Sequence, residues 1–219
     1  MRIATWNVER LKHRKEMGRL VEEIRKADAD ILVLTETDTR LCPEYPYIYQ
    51  TLALVGEQKF PYADTENRVS VFSRYKCIKQ HETYDKMTAI CVELDTEKGN
   101  LLVYGTIMGI SGNRRSDFIP DVKAQMEDVN RFTSDGSSIC VVGDYNLSFC
   151  DGWYYTKEGR RLVEETFSEC GISILTWSRQ ECIDHIAISD AFVEEAISVC
   201  EWNKDKSLSD HKGIVLEIK

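Results

Sequence analysis

Residues 139–146 read Ile-Cys-Val-Val-Gly-Asp-Tyr-Asn, a short apolar run that gives way to glycine and then to polar side chains. The run is too short for a helix, so it predicts a buried strand over Ser137 to Val142 that ends at Gly143 and Asp144. Because they follow directly after a buried strand, Asp144 and Asn146 are the first candidates for a functional site.

Helical periodicity is found on both sides of this strand. Upstream, one face of a predicted helix carries five apolar side chains, Phe118, Val122, Met126, Val129 and Phe132. Downstream, Glu158 to Cys170 predicts a second helix. A third is predicted over Lys12 to Lys26, where the apolar residues between Met17 and Ile24 form one stripe that should pack on a sheet.

Other apolar segments have the length of strands. Ile31 to Leu34 is apolar on both faces, which predicts a central strand, and Glu36 lies just beyond its end. Ala89 to Leu94 and Leu101 to Ile107 are separated by turn-prone residues and predict a hairpin. The remaining candidates are Ile3 to Val8, Arg68 to Phe72, Ile183 to Ile188 and Gly213 to Ile218, while Phe192 to Val199 is ambiguous. Hairpins and helical crossovers together predict a mixed α/β fold with two sheets and outer helices.

Length and charge limit the domain organisation and the class of ligand. The 219 residues contain no stretch that resembles a linker, which favours a single domain over residues 1–219. The formal net charge is −9, so the field of the whole molecule repels long duplex DNA. The densest basic run, Lys12 to Lys15, contains no aromatic residue and is interpreted as a solvated face.

Cysteine usage and the N-terminus bear on the cellular compartment. Eight cysteines are present, but none form a Cys-x-x-Cys pair and several lie in apolar runs, which predicts buried free thiols. The N-terminus has no apolar signal core, and the apolar runs are far shorter than a membrane span. A cytoplasmic protein without a membrane span is expected, and no feature indicates an obligate protein partner.

Polar side chains recur at the ends of the predicted strands or in the loops beside them. Each alone is explained by a helix cap or a turn, but their repetition indicates one site, built from Asn7, Glu36, Asp144, Asn146, Asp210 and His211. Mg²⁺ prefers oxygen ligands, and Glu36 with Asp210 would suffice to hold it. Zinc is disfavoured because the histidines lack ligand spacing and the cysteines lack pairs.

Six segments, in order along the chain, resemble motifs of the endonuclease/exonuclease/phosphatase superfamily. They are Thr5 to Val8, Ile31 to Glu36, Val69 to Tyr75, Val142 to Asn146, Ile183 to Ile186 and Leu208 to His211. The superfamily includes DNase I, the exonuclease III-like repair nucleases, inositol polyphosphate 5-phosphatases and neutral sphingomyelinases. The resemblance implies a DNase I-like four-layer sandwich, in which two mixed β-sheets are flanked by helices.

The resemblance also implies a role for each matched residue. Glu36 is similar to the principal ligand of Mg²⁺ or Mn²⁺, with Asn7 and Asp210 completing or supporting the metal site. Asp144 resembles the residue that orients or deprotonates the attacking water. The Asn146 amide and the His211 ring would donate to the phosphate, and Asp184 would fix the tautomer of His211.

One position departs from the pattern. Most relatives place a histidine or tyrosine that supports the phosphate at the end of the strand matching Leu101 to Ile107, and here Ile107 occupies that place. Tyr104 or Asn113 is the expected substitute for this contact, or else the reaction is differently supported. His185 should point away from the site because it is adjacent to Asp184 on a strand.

These features favour a phosphodiesterase or phosphatase that depends on Mg²⁺ or Mn²⁺ and acts on a short nucleic acid, a nucleotide or a small phosphoester. The alternative is a non-catalytic module that binds metal and phosphate. The loops Thr37 to Thr65 and Asn146 to Lys157 are expected to set specificity. In the second loop, the aromatic residues Trp153 to Tyr155 either stack on a base or sugar or serve as packing.

Overall fold

The computed structural model describes residues 1–56, 61–194 and 196–219. Three α-helices are found in this part of the chain: α1 (Met17–Ala27), α2 (Phe118–Thr133) and α3 (Lys157–Glu169). The strands in chain order are β1 (Arg2–Asn7), β2 (Ile31–Asp38), β3 (Tyr47–Gln50), β4 (Glu66–Ser73), β5 (Cys77–His81), β6 (Ala89–Thr96), β7 (Gly99–Ile107), β8 (Ile139–Asp144), β9 (Ile172–Ile174), β10 (Asp184–Ser189), β11 (Ala196–Trp202) and β12 (Gly213–Ile218).

The described strands form two mixed sheets of six strands each. The first sheet has the order β11-β12-β1-β2-β4-β3, and the second has the order β5-β6-β7-β8-β10-β9. Each sheet contains one parallel pair, β1 with β2 in the first and β7 with β8 in the second, among antiparallel neighbours. The predicted hairpin is confirmed as the antiparallel pair β6 and β7.

Apolar side chains from both sheets pack face to face and form the central core, which includes Val33, Val71, Val103, Val142 and Ile186. The outer face of the first sheet is covered by α1 through Leu20 and Ile24, and the outer face of the second sheet is covered by α2 and α3. The layers therefore run helix, sheet, sheet, helix. This arrangement confirms the predicted four-layer sandwich of two mixed sheets flanked by helices.

The start of the first helix differs from the prediction. The apolar stripe from Met17 to Ile24 lies on α1, but residues 12–16 are not α-helical. After β1 the chain forms a 3₁₀ turn (Glu9–Leu11), in which the φ angles of Glu9, Arg10 and Leu11 are 50°, 53° and 51°. Another 3₁₀ turn (Arg14–Glu16) precedes α1. A left-handed backbone conformation interrupts a helix. The residue types before Met17 gave no indication that the chain would adopt it.

Several strands were not predicted because they are short and lie at or near sheet edges. β3, β5 and β9 are partly exposed and have three to five residues each, so their apolar periodicity is weak. The ambiguous segment Phe192 to Val199 contains the end of a 3₁₀ turn and the start of β11, and residue 195 within it lies outside the described residues.

The cysteine prediction is correct for bonding and only in part for burial. All eight are free thiols, of which Cys91, Cys140 and Cys182 are buried, while Cys42 and Cys200 are exposed. Across the described ranges, no helix is both long and apolar enough to cross a membrane.

Gly143 is required where the second sheet reaches the site. Its φ is 141°, and a Cβ atom there would lie 2.1 Å from the carbonyl oxygen of Thr106 on the neighbouring strand. We expect Gly143→Ala to lower the free energy of unfolding by about 3 kcal/mol, because the backbone or its neighbour must move. Urea unfolding measures this, with Gly18→Ala as control because no atom lies within 4 Å of its added Cβ. Wild-type stability in Gly143→Ala would contradict the claim that glycine is required at this position.

Candidate active site

Asn7 joins the two sheets at one end of the sandwich. It ends β1 of the first sheet, beside Glu36 on β2, whereas Asp144 ends β8 of the second sheet. The amide nitrogen of Asn7 donates to Glu36 Oε1 at 3.2 Å and to Asp144 Oδ2 at 3.1 Å. A single buried amide therefore holds two carboxylates, one from each sheet.

The orientation of the Asn7 amide bears on its predicted role as a metal ligand, which stays a prediction. Its amide nitrogen faces the carboxylates, and its oxygen accepts a hydrogen bond of 2.9 Å from the backbone nitrogen of Glu9. In this orientation the amide nitrogen, a donor, contacts the carboxylates, whereas a cation would need the amide oxygen.

The backbone conformation of Glu36 and the burial of its charge are both unfavourable in free energy. Its φ of 46° is unusual for a residue other than glycine, and such conformations persist mainly at functional sites. Burial raises the pKa of its carboxyl group, and the charge of Asp210 adds to this, whereas the Asn7 hydrogen bond and the charge of His211 oppose it. The sequence placed Glu36 after its strand, but it lies within β2.

Asp184 and His211 form a second contact pair beside Asp144. Asp184 begins β10 and is the register partner of Asp144 on β8. The ring atom Nδ1 of His211 lies 2.6 Å from Asp184 Oδ2. One ligand atom from each of Asp144, Asp184 and His211 lies within 4.8 Å of the other two.

Burial and neighbouring charges together shift the pKa values of Asp144 and His211. Asp144 is 2% exposed, and burial together with Asp184 and Glu36 raises its pKa to about 7, although His211 acts in the opposite direction. Burial lowers the pKa of His211, but Asp184, Asp144 and Asp210 outweigh this and raise it to about 10. Near neutral pH, Asp144 can accept a proton while His211 remains a cationic donor.

The raised pKa of His211 predicts how stability of the metal-free protein depends on pH. The folded-state pKa of about 10 exceeds the ordinary value of 6.5, so the stabilising contribution is complete below pH 6.5 and is lost as pH rises toward 10. We expect wild type to lose about 2 kcal/mol more than His211→Gln between pH 6.5 and 9.5. Urea unfolding in EDTA measures this difference. Parallel pH profiles for the two proteins would contradict it.

The loop that carries Asp210 and His211 is fixed to the first sheet. The Ser209 hydroxyl donates to the Asn7 carbonyl oxygen at 2.6 Å, and Asn203 Nδ2 donates to the His211 carbonyl oxygen at 2.7 Å. The Asp210 side chain is 68% exposed, with Oδ1 lying 3.7 Å from His211 Nε2. Asp210 therefore presents a solvent-accessible carboxylate at the rim of the site.

Asn146 also has left-handed backbone, with φ of 50°. Its backbone nitrogen donates to Asp144 Oδ1 at 2.8 Å, and its side-chain nitrogen donates to the carbonyl oxygen of Met108 at 3.0 Å. Asn113 lies behind it, with Nδ2 donating to the Asn146 carbonyl oxygen at 2.8 Å. Asn113 is 3% exposed and so supports Asn146, which differs from its predicted contact with substrate.

Tyr104 does not reach the site, which corrects its predicted role in place of a histidine at position 107. It is fully buried on the helix-covered face of the second sheet, where its hydroxyl lies 3.1 Å from Asp128 Oδ2. Ile107 points to the opposite face, into the core between the sheets. Residues three apart on a strand lie on opposite faces, so Tyr104 is unable to substitute for position 107.

A buried network that sequence reasoning missed holds the loop after β7. Gln125 on α2 donates to the Ile107 carbonyl oxygen at 3.0 Å, and Asp121 Oδ2 accepts from the Gly109 backbone nitrogen at 2.6 Å. This is the loop whose carbonyl groups receive the Asn146 amide. The only indication of this network in the sequence was the spacing of Asp121 and Gln125, which places both side chains on one face of α2.

Two pockets border the catalytic candidates. One of 140 Å³ lies beside Glu36 and is lined by Arg10, Leu54, Tyr62, Glu66 and Arg68 among others. The predicted specificity loop Thr37 to Thr65 contributes to it, although residues 57–60 of that loop lie outside the described residues. The other pocket, of 340 Å³, lies beside Asp184 and His211 and includes Trp153, Tyr154 and Lys206. Sequence reasoning missed Arg10 and Lys206.

His185 lies on the opposite face from Asp184, as expected. It is fully buried, its ring nitrogens lie 3.0 Å from Thr176 Oγ1 and 2.9 Å from the Leu147 carbonyl oxygen, and burial lowers its pKa to about 4. It is a neutral core histidine.

The donor set of the site fits Mg²⁺ or Mn²⁺. Glu36, Asp144, Asp184 and Asp210 all contribute carboxylates, the ligand type that these hard cations prefer. Asp184 Oδ1 is buried and has no hydrogen-bond partner in the described structure. An oxygen that is buried without a donor is a position where a cation or a water would compensate the lost hydration.

Comparison with known proteins identifies the family to which the chain is similar. The model of the endonuclease/exonuclease/phosphatase family matches residues 4–211 of the chain. No match was found among curated protein sequences. The family match spans all six segments that carry the motif resemblance, up to His211.

Solved structures share the fold at low sequence identity. The 3′-5′ exonuclease NExo from Neisseria meningitidis has a TM-score of 0.72 and 16% identity, with 100% of each chain covered. An AP endonuclease from Archaeoglobus fulgidus has a TM-score of 0.70 and 14% identity, with 100% of this chain and 99% of that chain covered. An endonuclease/exonuclease/phosphatase protein from Beutenbergia cavernae has a TM-score of 0.74 and 16% identity, with 100% and 71% covered. At these identities the likeness shows the fold.

Proposed function

Because the chain belongs to the endonuclease/exonuclease/phosphatase family, we propose that it is a hydrolase of phosphoesters that depends on Mg²⁺ or Mn²⁺ and uses an activated water. The observation that carries the proposal is the Asn7 amide, which joins Glu36 to Asp144, with the Asp184–His211 pair beside them. This arrangement combines a cation-binding carboxylate, a proton acceptor and a cationic donor within one small region.

Asp144 is proposed as the group that orients the water and accepts its proton. Its pKa of about 7 is suited to proton acceptance near neutral pH, and its fixed hydrogen bonds from Asn7 and the Asn146 backbone define its orientation. A mobile carboxylate would lose part of the advantage that a fixed orientation provides.

His211 and Asn146 are proposed to contact the phosphate oxygens. Because Asp184 lies at Nδ1, the other ring atom, Nε2, is left to donate toward the substrate. Asn146 would donate through the amide nitrogen that now contacts the Met108 and Gly109 carbonyl oxygens. Donors aimed at the position where negative charge develops lower the barrier most.

Glu36 is proposed as the principal ligand of the cation, with Asp210 beside it at the rim. A bound Mg²⁺ or Mn²⁺ would neutralise charge on the phosphate and on the leaving oxygen. The raised pKa of Glu36 supports this role, because a buried carboxylate with a disfavoured charge gains most from a nearby cation.

A compact substrate is proposed rather than long duplex DNA. The net charge of −9 repels a long polyanion, and the two neighbouring pockets of 140 and 340 Å³ have the size of individual substrate groups. A short nucleic acid, a nucleotide or a small phosphoester fits both features. The free thiols support a reducing, cytoplasmic location.

The second candidate function is binding of a metal and a phosphate without turnover. The observation that favours it is Ile107, an apolar side chain where the resemblance implies a phosphate-supporting histidine or tyrosine. The pKa of Asp144 argues against it, since a proton acceptor tuned to neutral pH has no evident use in binding.

The proposal is tested by a panel of substrates with wild type and Asp144→Asn. The panel contains bis(p-nitrophenyl) phosphate, p-nitrophenyl phosphate, short oligonucleotides and plasmid DNA, each with Mg²⁺, Mn²⁺ or EDTA. We expect cation-dependent turnover of at least one small ester by wild type. Cleavage of plasmid without turnover of any small ester would overturn the proposed substrate size.

A further inference from the structure

The larger pocket lies directly beside the proposed phosphate contacts and continues away from them. Asp184, His211 and Asn146 line it together with Trp153, Tyr154 and Lys206. Its volume of 340 Å³ accommodates a group much larger than a phosphate oxygen. A substrate bound through its phosphate at His211 would therefore have one arm in this pocket.

Trp153 presents an aromatic surface to this pocket. Its side chain is 45% exposed, although a large apolar ring at a protein surface is usually buried by packing. The loop that carries it is fixed, because its backbone nitrogen donates to Asp151 Oδ1 at 3.0 Å and the Tyr154 backbone nitrogen donates to Ser148 Oγ at 3.2 Å. Trp153 is thus an exposed ring on an ordered support.

Lys206 supplies a positive charge at the same place. Its ammonium lies over the Trp153 ring, 5.0 Å from the ring centre, and in the described part of the chain it forms no ion pair with a carboxylate. The neighbouring Lys212 differs, because it pairs with Glu201 at 3.6 Å and donates to the Gln180 carbonyl oxygen. The carboxylates of Glu181 and Asp210 also line the pocket, so Lys206 is the cation there that is left to contact an anion and would move off the ring to do so.

We propose that Trp153 and Lys206 form a subsite for a planar, anionic arm of the substrate, so that the preferred phosphoester carries a nucleobase next to the scissile phosphate and a further phosphate beyond it. Stacking on Trp153 accounts for the base, and Lys206 accounts for the second charge. The inference rests on the proposed function, because it takes His211 and Asn146 as the phosphate contacts. Nucleotides and short oligonucleotides share this chemistry.

Matched p-nitrophenyl esters test the subsite. Ethyl p-nitrophenyl phosphate and thymidine 5′-(p-nitrophenyl phosphate) share a leaving group and differ only in the second arm, and thymidine 3′-phosphate 5′-(p-nitrophenyl phosphate) adds the further charge. We expect Trp153→Ala to raise KM about 5- to 100-fold for both thymidine esters and to change kinetics of the ethyl ester less than about twofold. Lys206→Gln should remove only the preference for the 3′-phosphate.

Trp177→Ala is the matched control for the ring. Its side chain is 50% exposed, but it lines a different pocket, with Phe167 and Ile174, that contains none of the proposed catalytic residues. This variant should behave as wild type with all three esters. Equal losses for the ethyl and thymidine esters in Trp153→Ala would overturn the subsite, as would unchanged KM values. A mononucleotide ester and a dinucleotide, compared in the same assay, distinguish a nucleotide from a short oligonucleotide as the preferred substrate.

A binding measurement separates this inference from the proposed function. Thymidine 3′,5′-bisphosphate is titrated calorimetrically into wild type, Trp153→Ala and Trp177→Ala, with ribose 5-phosphate as the ligand that lacks a base. Binding weakened only in Trp153→Ala supports the subsite even if no ester is hydrolysed, in which case the proposed hydrolysis alone fails. Equal affinity of the three proteins, or no binding by wild type, would overturn the subsite.

Discussion

Replacement of Glu36 by glutamine is expected to reduce cation-dependent turnover by about 10³-fold, since a metal contributes several kcal/mol to charge stabilisation and each 1.36 kcal/mol is tenfold in rate. Glutamine keeps the oxygen that accepts from Asn7 and removes the negative charge. The metal-free variant should be at least as stable as wild type, because burial disfavours the ionised form of Glu36 and raises its pKa.

Thermal unfolding with and without Mn²⁺ measures the binding part of this prediction. At a cation concentration about 100-fold above Kd, wild type should gain about 2.7 kcal/mol, or roughly 5–10 °C, and Glu36→Gln should gain little. Glu93→Gln is the control, since Glu93 is a partly buried strand glutamate that contacts His81 far from the site. A wild-type metal response in Glu36→Gln would remove Glu36 from the cation site.

Replacement of Asp144 by asparagine is expected to lower kcat by about 10²- to 10⁴-fold, the range that general base catalysis contributes. Asparagine is nearly isosteric and can still accept from the Asn146 backbone, but it is unable to accept a proton. The KM of a small ester should change less than about fivefold, because Asp144 is proposed to act on the water and not on substrate binding.

Asp128→Asn is the matched control for Asp144→Asn. Asp128 is 4% exposed and is bound to the Tyr104 hydroxyl on the helix-covered face of the second sheet, away from the site. It should retain wild-type kcat, although its stability is expected to fall. If Asp144→Asn keeps more than a tenth of wild-type kcat, a different group accepts the proton.

Most of the site could be predicted from the sequence because strand ends converge at one edge of the sheets. Glu36, Asp144 and Asp184 were each placed at or beside a strand end. The parallel pairing of β1 with β2 brings Glu36 close to Asn7, and the antiparallel pairing of β8 with β10 places Asp144 opposite Asp184. The fold was predictable for a different reason, because the central strands are apolar on both faces and stand out in the sequence.

Side-chain orientation could not be predicted, because contacts between the sheets determine it. The direction of the Asn7 amide depends on Asp144, a partner 137 residues away. The left-handed conformation of Glu36 likewise has no local signal, because glutamate rarely adopts it, whereas asparagine at position 146 is a residue type that does. Such strain is stabilised by the surrounding structure and is apparent only once the neighbours are known.

The predicted phosphate contact of Tyr104 differs from the structure for another reason. The two-residue period of a strand places Tyr104 and Ile107 on opposite faces, and this period was available from the sequence. The network of Gln125 and Asp121 beneath the loop after β7 was not available, because it depends on how α2 packs on the second sheet.

The most direct test of the central claim measures cation binding and turnover on the same sample. Wild type is treated with EDTA and then titrated with Mn²⁺, while the melting temperature and the hydrolysis of bis(p-nitrophenyl) phosphate are recorded at each step. We predict that both rise together, saturate at the same Mn²⁺ concentration and fall again with excess EDTA. A rise in melting temperature without any hydrolysis would contradict the proposed enzyme and would favour the module that binds metal and phosphate without turnover.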